Sequence, residues 1–216
     1  MLRYLTHPYQ LLGVVLAVFI GLVGHNLAQA WVANALGDRE PRRNGFLRPD
    51  LRKHLEPLGV VASALSYFGW GFPAPVPLDT RFRRNRLRVA VSLLAGPAFL
   101  LALLFGTCSI LVRTHSEHLV EVTGFASATL AGLTVLSLVP IPPLAFGRVV
   151  FLYAPNTPGW QRARLNLVET QMGSFIALGI VLLPVFFQLL PDPLRDLADA
   201  LLRWVIRVVG SSPNPI

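Results

Sequence analysis

Long apolar stretches dominate the pattern of hydrophobic and polar positions along the chain. A helix that crosses a membrane needs about 20 mainly apolar residues. Four stretches are long enough, at about residues 9–36, 87–112, 122–152 and 172–190. The first is too long for the apolar part of a cleaved signal peptide. The pattern therefore predicts an all-α polytopic membrane protein in which residues 1–190 form a single membrane domain.

The segment between the first two stretches, residues 37–86, has a different character. Residues 45–48 favour a short strand. The alternating prolines of residues 72–77 favour extended backbone, because proline is excluded from helix interiors and tolerated at sheet edges. Between them, residues 57–70 are apolar but too short for a span, which favours a re-entrant or interfacial piece. We therefore expect a small insert of β and re-entrant structure.

The C-terminal segment, residues 191–216, is expected to form a separate unit. Apolar residues recur in it at the i, i+3, i+4, i+7 spacing, and arginines and aspartates occupy the other face. This periodicity predicts an amphipathic helix that lies on the membrane surface or on the helical bundle.

The distribution of charged residues along the chain predicts how the protein is oriented in the membrane. Charged residues make up 14% of the chain, against about 25% in a typical soluble domain. The formal net charge is +8, and 11 of the 19 basic residues lie within residues 37–88. Loops rich in arginine and lysine face the cytoplasm, so we expect the insert 37–86 to be cytoplasmic. This clustering accounts for the positive charge without nucleic-acid binding, and the expected partners are membrane lipid and no nucleic acid.

The other connections alternate in the same way. Residues 113–121 contain a single arginine and suit the outer side, whereas residues 153–170 contain Arg162 and Arg164 and suit the inner side. The arginine-rich, lysine-poor composition is typical of a bacterium with a GC-rich genome. We therefore expect a multi-pass integral protein of a bacterial plasma membrane.

Three polar residues lie deep in the first stretch: His25, Asn26 and Gln29. Polar side chains are costly in lipid, so they normally face a protein interior and indicate a functional site. The alternative is a cluster that only forms hydrogen bonds between helices. The i, i+4 spacing places His25 and Gln29 on one helix face.

These residues open an ordered series of motifs. The series comprises residues 25–30, 45–47, 54–59, 69–77, 94–97 and 140–148. In order and spacing it resembles the site-2 protease family of intramembrane zinc metalloproteases, over about residues 13–153. The resemblance implies a helical core of three spans, to which this chain adds a fourth span.

The sequence departs from the family pattern at the positions that bind zinc and catalyse hydrolysis in the family. The family motifs are His-Glu-x-x-His and Pro-Pro-Leu-Asp-Gly-Gly-Arg, which supply two histidine ligands, an aspartate ligand and a glutamate base. The matching positions here are His25, Asn26, Gln29 and Ala145, and Phe146 stands where the family has glycine. A catalytic zinc needs three protein ligands, and hydrolysis needs a base. The sequence therefore predicts no catalytic residue, no metal and no cofactor.

A rebuilt metal site is the alternative to this loss. His54 and Glu56 of the insert could join His25, although the family also has a histidine at the position of His54. His115 and His118 lie in the connection assigned to the opposite side and are expected to be solvated loop residues.

The resemblance also implies a groove for a partner. In the family, the extended segment is thought to meet substrate as an added strand, which uses the exposed backbone of a strand edge. Prolines within the third stretch are expected to break its helix, and such breaks are tolerated where they line a cavity. The candidate partner-binding residues are Phe72, Pro73, Ala74, Pro75, Val76, Pro77, Pro142 and Pro143.

The sequence favours a catalytically inactive homologue that binds a transmembrane segment or membrane-protein partner in a regulatory or scaffolding role. One alternative is an active intramembrane zinc metalloprotease with non-standard ligands. The other is a small-molecule or ion pathway around His25, Asn26 and Gln29, which the lack of acidic residues at the centre of any span disfavours. In the favoured case these three residues face the bundle interior, with Ala145 and Phe146 opposite them.

The charge pattern predicts the topology directly. A membrane-impermeant thiol reagent added outside should label Ser116→Cys and leave Arg43→Cys unlabelled, because arginine-rich loops stay inside. Labelling in the reverse pattern would overturn the orientation.

Overall fold

The computed structural model describes residues 6–66, 69–79, 82–169, 172–186 and 192–211. The helices are α1 (Pro8–Ala35), α2 (Glu40–Arg43), α3 (Leu51–His54), α4 (Pro57–Leu65), α5 (Arg86–Arg113), α6 (Glu117–Ser137), α7 (Ala145–Tyr153), α8 (Pro158–Arg164), α9 (Met172–Phe186) and α10 (Pro193–Gly210). A 3-10 turn, Phe82–Arg84, precedes α5, and a π-helical turn, Leu165–Glu169, follows α8. Within the described residues the β structure is limited to one antiparallel bridge, between Leu55 and Pro73.

Three helices, α1, α5 and α6, are long and apolar enough to cross a membrane, and a bent pair formed by α8 and α9 would make a fourth span. The three long helices pack on one another along their lengths. The prediction of an all-α polytopic membrane protein is confirmed. The end of the fourth predicted stretch, residues 187–190, lies outside the described residues.

Small residues let the long helices approach closely. Gly13 of α1 faces the backbone carbonyl of Val122, and a side chain there would collide with it. Several hydroxyl groups inside the bundle bond to their own helix, as Thr134 Oγ1 does to the carbonyl of Leu130 at 2.7 Å, and Ser127 Oγ of α6 donates across to Thr107 Oγ1 of α5 at 3.0 Å. Such bonds satisfy polar groups that lipid cannot.

The third predicted stretch is broken between α6 and α7. Pro140, Pro142 and Pro143 lie in this break, and the peptide bond between the last two is cis. Proline lacks the N–H that a helix interior requires, so the chain leaves α6 after Ser137 and starts a new helix at Ala145.

The predicted strand at residues 45–48 does not form, and with it the expected β part of the insert is wrong. These residues are turns that follow α2, with Gly45 at a φ of +76°. The N–H of Phe46 donates to the carbonyl of Pro41 at 2.8 Å. Glycine adopts this left-handed conformation easily, so the residue that looked like a strand start ends a helical turn.

The segment 72–77, here called the proline segment, contains no helix. Asp38, which is buried just after α1, holds its far end. The two carboxylate oxygens of Asp38 accept from the N–H groups of Glu40 at 2.9 Å and Asp79 at 3.1 Å. The end of a membrane helix thereby fixes the end of the proline segment.

The amphipathic C-terminal helix, α10, packs on α5 and α6. Its buried residues are Ala198 and Val205, and Asp192 caps its first turn by accepting from the N–H of Arg195 at 3.1 Å. Of the two placements expected from the sequence, the helix contacts the bundle.

The close approach of α1 and α6 predicts an asymmetry between two glycines. Gly13→Ala should destabilise the protein by roughly 1–3 kcal/mol, because the new methyl group overpacks a backbone contact. Gly106→Ala, on α5 with open space around it, should be neutral or slightly stabilising because alanine is the better helix former. Thermal unfolding of both variants in detergent checks this, and equal effects would contradict the packing.

Candidate functional site

The polar residues of α1 line a small internal cavity. His25, Asn26 and Gln29 are each at least 97% buried. The cavity also borders the proline segment, the end of α6 and the start of α7, where Ala145 and Arg148 line it. Its volume is about 20 Å³, which is room for about one water molecule.

Asn26 attaches the insert to α1. Its Nδ2 donates to the carbonyl of Ala74 at 2.7 Å and to the carbonyl of His54 at 3.2 Å. The carbonyl of His54 also accepts from the N–H of Ala74 at 2.9 Å. One amide therefore joins a membrane helix, the end of α3 and the proline segment.

Gln29 has the same kind of role one turn further along α1. Its Nε2 donates to the carbonyl of Leu93 on α5 at 2.9 Å. This carbonyl lies four residues before Pro97, and proline has no N–H to donate back to it. Gln29 thus supplies the donor that the proline removes from α5.

His25 lies against the glycine that precedes that proline. A Cβ at Gly96 would lie 2.5 Å from His25 Nε2, so only glycine leaves room for the imidazole. The Nδ1 atom lies 3.3 Å from Asn26 Oδ1. The buried Nε2 has no hydrogen-bond partner among the described residues.

Arg148 is the cavity residue that the sequence analysis missed. It lies one turn after Ala145 on α7, and its Nη2 donates to the carbonyl of Val76 at 2.9 Å. The signal was an arginine within an apolar helix, at the last position of the sixth motif. Such an arginine is expected to face protein or water rather than lipid.

Phe146 does not lie in the cavity. It is 36% exposed, whereas its neighbour Ala145 is buried and lines the site. The expectation that both residues face His25 is wrong for Phe146, because consecutive helical residues point about 100° apart.

The residues proposed for a rebuilt metal site do not assemble. His54 is buried outside the cavity, with Nε2 2.7 Å from the carbonyl of Arg48 and its ring edge-on to Phe46. Glu56 lies at the start of α4, where burial raises the pKa of its carboxyl and a hydrogen bond with Ser174 partly offsets the rise. Among the residues that the structure describes, no group of three or more His, Cys, Asp or Glu side chains could hold a metal ion.

Part of the backbone of the proline segment is already hydrogen-bonded to the rest of the protein. Its carbonyls at Ala74 and Val76 are taken by Asn26 and Arg148, and the N–H of Ala74 is also used. Phe72 and Val76 are buried, while Pro75 is exposed. Of the other candidate partner-binding residues, Pro142 is buried and Pro143 lines the cavity.

A zinc ion does not fit these residues. His25 is the one common zinc ligand in the cavity, where a catalytic site needs three. The amide nitrogens of Asn26 and Gln29 are occupied as donors. The site offers amide donors, which suit backbone carbonyls and not a divalent metal.

Comparison with known proteins gives one relative. No protein-family model matches the chain, and no solved structure matches it. A protein of Bacillus subtilis (strain 168), named "Putative zinc metalloprotease YwhC", is 27% identical over 213 residues, covering 93% of this chain and 94% of the relative. This similarity supports a site-2 protease-like relationship.

The position of Asn26 predicts a test of its structural role. Asn26→Asp removes the donor, so the carbonyl of Ala74 loses the Asn26 hydrogen bond and the carbonyl of His54 keeps only the N–H of Ala74. A carboxyl group would face both carbonyl oxygens, so the change should destabilise the protein by about 2 kcal/mol or more. Hydrogen exchange at Ala74 should accelerate with it. Asn34→Asp, the same change on α1 outside the cavity, should leave both measurements near the unmodified protein, and equal effects of the two changes would contradict the attachment.

Proposed function

We propose that this chain is a catalytically inactive relative of the site-2 proteases that binds a transmembrane segment or membrane-protein partner. The observation that carries the proposal is the use of Asn26 and Gln29. At the positions where the family has its base and its second histidine, these amides donate to the backbone of the insert and of α5.

The glutamate base and two of the three zinc ligands that the family uses for hydrolysis are missing from this cavity. An amide has no useful basicity near neutral pH, so Asn26 cannot take a proton from water. Ala145 offers no ligand, and Arg148 is the charged residue among those described in the cavity lining. The proposal therefore assigns no catalytic residue, no zinc and no other cofactor to the site.

An apolar groove along α1 supports a transmembrane partner. It borders α1 from Phe19 to Trp31, and Pro49, Leu51 and Phe99 complete it. Its length along the helix is about 18 Å, or twelve residues at 1.5 Å each. Ile20 and Trp31 are at least half exposed there. A groove of this length and chemistry suits the side of another apolar helix.

The two alternative functions, an active protease and an ion or small-molecule pathway, each predict properties that differ from those of an inactive binder. An active zinc metalloprotease has the name of the Bacillus subtilis relative in its favour, and it requires metal in the purified protein. An ion or small-molecule pathway requires a continuous passage, whereas the cavity at His25 has room for about one water molecule. The role favoured for this chain is to regulate its bound partner or to act as a scaffold for it in the membrane.

Metal analysis of the full chain in detergent tests the proposal. The unmodified protein should hold no stoichiometric zinc. Asn26→Glu, Gln29→His and Ala145→Asp together restore a His, His, carboxylate set and a base, and this triple variant should gain about one zinc per chain. The matched control carries Asn34→Glu, Gln161→His and Ala154→Asp, the same three changes outside the cavity, and should gain none.

The triple variant loses the Asn26 hydrogen bonds, so folding needs its own safeguard. The Gln29→His/Ala145→Asp double variant completes the ligand set and leaves Asn26 in place. Phe146 can stay, because its side chain does not line the cavity. Zinc in the unmodified protein at the level of the folded variants would refute inactivity. Folded variants without zinc would refute the matching of positions 25, 29 and 145 to the family site.

A further inference from the structure

A second, larger cavity lies at the junction of α5, α7 and α8. Its volume is about 310 Å³, at the lower end of the range for small-molecule sites. Its apolar wall consists of Leu78, Val89, Leu93, Phe151 and Leu152. Its polar lining consists of Arg83, Arg86, Arg148 and Arg164.

Among the residues that the structure describes, no acidic side chain lines this cavity. The ion pairs between described residues, Arg43 with Glu40 and Arg195 with Asp199, involve none of its four arginines. The charge of Arg83 acts unfavourably on Arg148, so the two guanidinium groups repel each other. A bound anion would relieve this repulsion.

Two of the arginines are held in place by backbone. Arg148 Nη2 donates to the carbonyl of Val76, and Arg164 Nη2 donates to the carbonyl of Phe151, each at 2.9 Å. A guanidinium has five N–H donors, so both retain donors for a ligand. Arg83, Arg86 and Arg164 are exposed, and Arg148 is partly buried. Arg83 and Arg86, in the 3-10 turn and at the start of α5, are here called the rim. The cavity therefore combines two guanidinium groups held by backbone carbonyls with two at its rim.

The depth of the cavity fits a molecule at the membrane surface. Arg86 is the first residue of α5, and Leu93 lies seven residues further along the same helix, which is about 10 Å at 1.5 Å per residue. The rim therefore lies at the end of a membrane span, and the wall at Leu93 lies at the depth of the first acyl carbons. By the charge pattern, this end is the cytoplasmic one.

We propose that this cavity binds the phosphate of an anionic lipid headgroup, with the start of an acyl chain against its apolar wall. Arginine is suited to phosphate because its planar fork makes two parallel hydrogen bonds to it. Basic pockets between membrane helices on the cytoplasmic side recognise anionic headgroups. Free phosphate shares this chemistry, but it would leave Val89, Leu93 and Phe151 without an apolar partner.

The lipid site touches the candidate functional site. Arg148 lines both cavities, and Leu93, whose side chain is in the wall of the lipid site, gives its carbonyl to Gln29. A bound phosphate would hold Arg148, which in turn holds the proline segment through Val76. Anionic lipid would then stabilise the insert on the bundle.

Two double variants of equal charge separate this site from diffuse attraction. Arg83→Gln/Arg86→Gln removes the rim and leaves Arg148 and Arg164 in place. Arg84→Gln/Arg162→Gln removes two exposed arginines from the 3-10 turn and α8, neither of which lines the cavity. Both pairs lie on the side assigned to the cytoplasm.

The measurements are native mass spectrometry of retained lipid and thermal stability of the full chain in detergent. Phosphatidylglycerol, phosphatidylcholine with the same acyl chains and inorganic phosphate are added separately. Phosphatidylglycerol should be retained and should raise the Tm, and the phosphatidylcholine should do neither. The rim variant should weaken phosphatidylglycerol binding about tenfold or more, since each arginine near the surface contributes on the order of fivefold, while the control variant stays within about twofold.

Three results would overturn the proposal. Equal losses in the two variants would show diffuse attraction to positive loops. Equal retention of the two lipids would show that the anionic headgroup is not recognised. Stabilisation by inorganic phosphate that needs Arg83 and Arg86, without retained lipid, would assign the cavity to a soluble anion. None of these readouts depends on whether the chain is a protease.

Discussion

The position of the insert on the bundle depends on one physical constraint. In apolar surroundings, a buried polar group must find its hydrogen-bond partner inside the protein. Asn26 meets this constraint for three segments at once, because its Nδ2 donates to the carbonyls of His54 and Ala74. The side chain of a membrane helix therefore determines where α3 ends and where the proline segment runs. The small cavity, with Arg148 in its lining, lies beside that attachment.

The other attachments use the same chemistry. Gln29, Arg148 and Asp38 each bond to backbone: to the carbonyl of Leu93, to the carbonyl of Val76 and to the N–H of Asp79. Every residue has a backbone carbonyl, and every residue except proline has a backbone N–H, so each of these contacts requires a particular side chain at only one of its two positions. The prolines make such donors necessary, since a segment with proline at alternate positions offers carbonyls but few N–H groups. The polar residues of the bundle thus complement what proline removes.

The sequence was most informative where a physical period or length applies. Apolar stretches of about 20 residues predicted the long helices, and the i, i+4 spacing of His25 and Gln29 placed both on one buried face. The strand at residues 45–48 failed because Gly45 was taken as part of an extended run, whereas it adopts a φ of +76° after α2. The pattern of residue types alone does not show whether a glycine ends a helical turn or begins an extended segment.

The sequence predicted the α1 residues of the site, but it did not predict that Arg148 lines the same cavity. Ala145 lines the cavity and Phe146 does not, a difference of one helical position that depends on where α7 starts. In the sequence, Arg148 stood out only as the last residue of the sixth motif, although an arginine in an apolar helix must have a protein partner or water. Its partner, the carbonyl of Val76, is 72 residues away in sequence, and no local pattern contains that contact.

Electrostatics links the substitutions at the site to one another. A zinc site of the family type balances a divalent cation with two carboxylates, so loss of the metal alone would leave buried negative charge, which is costly. Loss of the carboxylates alone would leave the metal without ligands. With Asn26 and Gln29 on α1 and Ala145 on α7, the matched positions carry neither carboxylate. Arg148 stands where the family motif also has arginine. Its guanidinium donates to the carbonyl of Val76, and in the lipid proposal it would also hold a phosphate in the second cavity. In that proposal, one arginine connects the proline segment to the membrane surface.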